Sequence, residues 1–497
     1  MSVSSTPDNI SAWRFKVFLG LFFAAIIAGK FMYSYQDVLI DPDSWWHIKT
    51  GMDTLANGRL PLTDSYSHTF FGRPWIAKEW LSQVLMALAF LGGKWNGVSL
   101  LTAAAISGTG FAVYMSLAAK LRPHLALVVT MISMVPSSAV FLARPHMMVM
   151  LIVVVWTAII FRTADELKPP RFSALILLVL WSNLHSSFTL GMVIAGFGLL
   201  HIVEQTRFSN RPLIARWAVF VLMCPLVALI HPYFYQPFVI SIEMMRGNEA
   251  TQFITEWQPF NAQTAMIPEG VIILYLLAFL MLRLKISWSK ALFILFSLHM
   301  MLTHFRFSYV FFMLVPISVA PELALRFPGV SAETWVSQKR DAIEAFAARY
   351  FGPIVLASSV VAVVAGSIFL NLKSIQPAPE HGPVDAIAFA QTHELTGNVF
   401  NYYDFGGPLI FHGIKTFIDG RAEQIFLDGF ITKVIASASP GGEQKFQELL
   451  KDYSIDWSIL PPGDARIDLL DTYPDWQRAY ADKYAVIHVR KDFKTLQ

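Results

Sequence analysis

The chain has 497 residues, of which 55% are hydrophobic and only 15% charged, whereas soluble domains carry roughly 25% charged residues. This composition excludes an ordinary soluble enzyme. Apolar runs of about 15–23 residues recur from Leu19 to Leu370, the pattern of a polytopic helical membrane protein. The net charge of +3 comes from basic residues in short loops, which report topology and exclude nucleic acid as a partner. The single cysteine, Cys224, lies inside an apolar run and reads as a buried, inert thiol.

In chain order, a polar tail with Arg14 and Lys16 leads into the first apolar segment, 17–37. No cleavable signal peptide is apparent, and the segment suits a retained signal-anchor. Asp41-Pro42-Asp43-Ser44-Trp45-Trp46-His47 follows at once. A charged side chain placed in lipid is disfavoured by roughly 2.5–3.5 kcal/mol, so such clusters usually line a watery cavity with a function. The next apolar run, 80–92, is short for a crossing. It is expected to lie in the interface or re-enter, because counting it as a span inverts every later loop.

Further spans are expected near 98–119, 125–142, 147–161, 173–183, 187–203, 217–230, 269–282, 289–303, 307–320 and 353–371. With the N-terminus inside, the cytoplasmic loops collect Lys120 and Arg122; Arg162, Lys168 and Arg171; and Arg207, Arg211 and Arg216. They go on to collect Arg283, Lys285 and Lys290, then Arg326, Lys339, Arg340 and Arg349, as the positive-inside rule requires. Residues 374–497 then fall outside and read as a soluble α/β domain. VDAIAFAQTH and EQKFQELLKDY are helical in pattern; NVFNYY, KTFIDGR, WSILPP and YAVIHVRK are strand-like.

The same topology gathers the polar motifs on the outer face. The candidates are Asp41, Asp43 and Glu79 as catalytic carboxylates, with Trp45, Trp46, His47, Arg144, His146, His185, Glu256, His304 and Arg306 as substrate-binding residues. Arginine and protonated histidine pair with phosphate oxygens, a carboxylate takes a proton from an attacking hydroxyl, and paired indoles offer faces to sugar rings or lipid. Together these suit transfer of a group from a lipid phosphate to a hydroxyl. Bland readings stand beside each: Asp41 and Asp43 as helix caps, Arg144 as a snorkelling anchor, the indoles as an interfacial belt, and Asp419-Gly420-Arg421 as a turn joining strands.

On these residues the chain resembles the GT-C superfamily of polyprenyl-phosphate-sugar glycosyltransferases, including lipid A aminoarabinose transferases and protein O-mannosyltransferases. In those enzymes the first outer loop begins with an Asp-Glu pair and runs through a short helix to a Gly. Here Asp43 matches the first acid and Gly58 the end of the helix, while Ser44 stands at the second acid. The resemblance implies a bundle of about eleven spans over residues 1–373, with juxtamembrane helices in the first outer loop, 38–96, and a separate periplasmic domain at 374–497. It implies inverting transfer from a polyprenyl-phosphate sugar to a lipid, glycan or protein acceptor at a bacterial inner membrane. No cofactor is expected, and a divalent metal ion, Mg or Mn, enters only through a second likeness, to oligosaccharyltransferase catalytic subunits. A transporter or flippase of a polyprenyl-linked glycan and a noncatalytic assembly subunit are the alternatives. The lack of an evident internal repeat weighs against transport.

Overall fold

The computed structural model describes residues 7–246, 257–372, 375–421 and 424–492. Among them, seven helices are long and apolar enough to cross a membrane, and four shorter apolar helices accompany them. Together they match the expected spans one for one, and the chain is a multi-pass membrane protein. The 80–92 run is helical and continues toward Ala118, but the helix is broken at Gly93 (φ −158°, ψ 16°) and Lys94 (φ 53°, ψ −141°). A lysine at positive φ is strained, so the break is enforced by its surroundings. Beyond it, Gly97 lies on the Ala89 carbonyl so closely that no Cβ would fit.

The residues divide into two compact units, one within 1–35, 99–235 and 256–374 and the other within 36–98, 236–255 and 375–497. The first is all helical. Its helices join at one end through charge: the ammonium of Lys290, fully buried, lies 2.7 Å from both Asp165 and Glu322. His201 Nε2 is 3.2 Å from Asp165, and the Glu204 carboxylate accepts the first backbone N–H groups of helix Trp288–Thr303. The chain order placed Lys290 among loop cations. It instead sits in the first turn of a helix as the centre of this network, because two facing carboxylates offset its desolvation.

The second unit joins the loop after the first span to the C-terminal segment. Its sheet has the order β1-β2-β4-β3, with β1 Asn398–Asn401, β2 Ile455–Leu460, β3 Trp476–Ala481 and β4 Val486–Arg490. β1 and β2 are parallel, while β4 is antiparallel to both β2 and β3. Alternation along β2 and β4 puts Trp457, Ile459, Ile487 and Val489 in one core with Ala386, Ile387 and Ala390 of helix Val384–Thr392. Ser458 and His488 pair across the opposite face. The expected strand KTFIDGR is not one: it contributes a single bridge, Thr416 to Ser67 of the first loop. β3 carries exposed and half-buried residues, so its sequence gave no alternation to recognise.

Lys290→Met would leave the half-buried Asp165 and Glu322 without their cation, and should destabilise the helical unit by up to about 3 kcal/mol, the low end of what breaking a fully buried pair costs. SDS-titration unfolding in mixed micelles measures this. The second unit should be acid-labile. Burial holds the His68, His412 and His488 imidazoles below the usual histidine range, against the opposing pull of Asp471 in the case of His488. The unfolded chain then binds more protons than the folded one as pH falls below about 6.5. Stability is therefore full above that value and declines beneath it. Melting of the full chain in detergent across this range is the check, and His412→Phe should flatten the slope.

Candidate active site

The acidic loop is shaped from both sides within the second unit. Asp41 is buried, and its Oδ1 accepts the backbone N–H of Asp43 at 2.8 Å, fixing the start of helix Asp43–Asn57. Asp43 itself is half-buried, with its carboxylate seated against Gly420. Trp45 and Trp46 are 2% and 5% exposed. Trp45 meets Trp95 at 4.4 Å and Phe411 at 5.1 Å, while Trp46 covers His47 at 3.7 Å. Both indoles are core residues with their faces covered by protein, so a free platform for a sugar ring is not what they offer. Gln83 Nε2 donates to His47 Nδ1 at 3.2 Å, and Gly51 packs on the Gln83 carbonyl, so helices Asp43–Asn57 and 80–92 are in close contact. Glu79 is buried at the entry to that second helix.

What holds this loop is a charge cluster that the sequence reading took for a turn between strands. Arg421 is fully buried, with its guanidinium 2.5 Å from Asp64 and 2.7 Å from Asp419, both also buried. Its Nε and backbone N–H also donate to Asp419, and its guanidinium lies over Trp75 and Tyr66. Burial alone would pull Arg421 down, but Asp419 and Asp64 more than offset it and hold the cation more firmly than usual. Backbone bonds continue the stitch, from Thr416 N–H to Tyr66 and from His68 N–H to Thr416. Asp64 carried no recognisable motif; Asp419-Gly420-Arg421 was visible, but its partner was some 350 residues away in sequence, as the separation of 357 shows.

In the helical unit, His146, His185 and Arg306 line one cavity with Ala139, Val140, Leu142, Phe307 and Tyr309. It is a small cavity, with room of about 30 Å³ for the centres of water-sized molecules, inside about 390 Å³ of space that includes open solvent. Each side chain is oriented by its backbone neighbours. His146 Nε2–H donates to the Val140 carbonyl at 2.6 Å. The Ser187 N–H donates to His185 Nδ1 at 3.1 Å, which places the proton of a neutral His185 ring on Nε2. The Arg306 guanidinium lies 4.6 Å over the Trp257 ring, a contact that holds its plane. Among the described residues the lining holds one arginine and two histidines and no carboxylate.

Arg144 and His304 fall outside that lining. Arg144 is the extended residue before helix Pro145–Asp165. His304 Nδ1–H donates to the Trp257 carbonyl at 2.7 Å. Glu256 lies outside the described residues. Tyr309, buried in the cavity wall, was missed, although its place three residues after Arg306 puts it on the same helical face. No three His, Cys, Asp or Glu side chains among the described residues gather as a metal site would require.

With its multi-pass helices and a small α/β segment that includes the loop after the first span, this chain has a GT-C-like fold. The oligosaccharyltransferase of Archaeoglobus fulgidus, in its apo form, superposes with a TM-score of 0.55 at 11% identity, covering 90% of this chain and 69% of that one. ArnT from Cupriavidus metallidurans, bound to undecaprenyl phosphate, gives 0.50 at 13% identity, covering 94% and 97%. No family model and no curated protein matches the sequence.

Arg421→Met would strand Asp64 and Asp419 in the interior, a loss of about 3–5 kcal/mol. The expected sign is faster protease cleavage within residues 59–76 of the full chain in detergent, together with a lower melting temperature.

Proposed function

We propose that this protein is an integral membrane glycosyltransferase that moves a sugar from a polyprenyl-phosphate donor to a hydroxyl acceptor, with inversion, on the outer face of a bacterial inner membrane. The observation that carries this reading is the cavity that brings Arg306, His146 and His185 together, side chains of the kind that pair with phosphate oxygens, on a GT-C-like fold. A neighbour of that fold is bound to undecaprenyl phosphate.

Asp43 is the proposed base. It accepts the proton of the acceptor hydroxyl; the oxygen attacks the anomeric carbon as the bond from that carbon to the phosphate oxygen breaks. Polyprenyl phosphate departs with the electron pair and an added negative charge. Arg306, helped by His146 and His185, stabilises that charge, as groups fixed in advance of the reaction do best. Proton, nucleophile and leaving group are all accounted for, so the reaction as proposed needs no cofactor beyond the donor.

Undecaprenyl phosphate is released whatever sugar or acceptor is used, so its release is the assay of choice. The purified protein is offered a panel of undecaprenyl-phosphate-linked sugars with a bacterial membrane extract as the acceptor source. Asp43→Asn should lower release by about 10²–10⁴-fold with native melting behaviour. Arg306→Ala should lower it by about 10²–10³-fold and weaken retention of undecaprenyl phosphate. Full activity in D43N would remove Asp43 from the chemistry; undiminished lipid-phosphate binding in R306A would remove the cavity from it.

A further inference from the structure

The glycines of the C-terminal segment around the acidic loop are not equivalent, and the difference points to a role for one of them. At Gly407 an added Cβ would run into the Pro42 carbonyl, and at Gly406 it would lie 2.6 Å from the Asp419 Cα and 2.6 Å from the Ile418 carbonyl oxygen. These obstacles are backbone and cannot step aside. At Gly420 the obstacle is the far end of one side chain: the Cβ would overlap Asp43 Oδ1, 2.7 Å from Cγ and 3.1 Å from Oδ2. Gly420 does not have the positive φ that demands glycine on conformational grounds. The three atoms nearest to that missing side chain all belong to the Asp43 carboxylate.

Gly420 cannot drift to relieve such a clash, because it is held on both sides. Asp419 accepts from Thr416 Oγ1 at 2.7 Å, from the Arg421 backbone N–H at 3.0 Å and from its guanidinium, while that guanidinium also grips Asp64. The wall is therefore stiff, whereas the obstacle at Asp43 is the far end of a side chain. A methyl at 420 would turn the carboxylate away and leave the fold in place.

We propose that Gly420 is a positioning residue: the Asp419-Gly420-Arg421 turn is a rigid stop that sets the rotamer of Asp43. This rests on the reading of Asp43 as the base, and gives the C-terminal segment a part in the reaction without contact with substrate. A carboxylate moved by about 1 Å from its working position lowers turnover about 10²-fold.

The test compares Gly420→Ala, Gly407→Ala and Asp43→Asn with the native full chain in detergent. Three things are measured: melting temperature, the rate at which a water-soluble carbodiimide with glycinamide labels Asp43 (peptide mass spectrometry), and undecaprenyl phosphate release from a working donor. For G420A the expected result is native melting, a several-fold change in Asp43 labelling, and a kcat about 10²-fold down with the donor KM near native. G407A should lower the melting temperature. Native labelling and turnover in G420A would overturn the positioning role, as would a melting loss as large as that of G407A. Native turnover in D43N would instead overturn the reading of Asp43 as base, even with altered labelling in G420A, so the two failures are told apart.

Discussion

The second unit depends on one buried cation. Arg421 has left water completely, and a lone guanidinium in that position would be heavily penalised. Two carboxylates offset the penalty, and one of them, Asp64, comes from the loop after the first span. The loop cannot leave without stranding the charge. The C-terminal segment is thus not a loosely attached appendage: its fold includes residues from the other end of the chain. The same interaction governs the acidic motif, because the turn that carries Arg421 also presents Gly420 to Asp43, while Gly407 and Gly382 receive Pro42 and Trp45.

This arrangement accounts for what was legible in the sequence. The helical spans were, because each is written locally as an apolar run, and even the break after 80–92 is signalled by Gly92-Gly93 and a run too short to cross. The amphipathic helices Val384–Thr392 and Glu443–Asp452 were legible for the same reason. KTFIDGR misled because alternating apolar residues look the same whether they pair with a sheet or, as here, with a distant loop. Asp64 had no local pattern at all.

The indoles illustrate a different limit. Trp45 and Trp46, placed after an apolar span, have the composition of a membrane-interface belt or a sugar platform, yet Trp95, Phe411 and Trp75 cover them. Residue type reported their affinity for apolar and aromatic surroundings correctly. Which surroundings they found was decided by tertiary packing, with Gly382 and Gly407 making room for Trp45. Of the outer-face polar residues, His146, His185 and Arg306 line one cavity while Arg144 and His304, also at helix ends, do not, so a place at a helix end did not by itself tell which side chains would meet.

The two polar clusters of the helical unit separate structural charge from functional charge. Around Lys290, one ammonium faces two carboxylates, His201 adds a hydrogen bond, and Glu204 caps the neighbouring helix end. Negative groups are at hand for the positive one, and such a network has little attraction left for an outside anion. Around Arg306 the contacts include a ring face, and around the two histidines a carbonyl and an N–H group. Contacts of that kind fix the direction of a side chain. At Lys290 the carboxylates do more: they balance a fully buried charge, and that balance, more than the presence of a lysine, is what makes the cluster a clamp between helices.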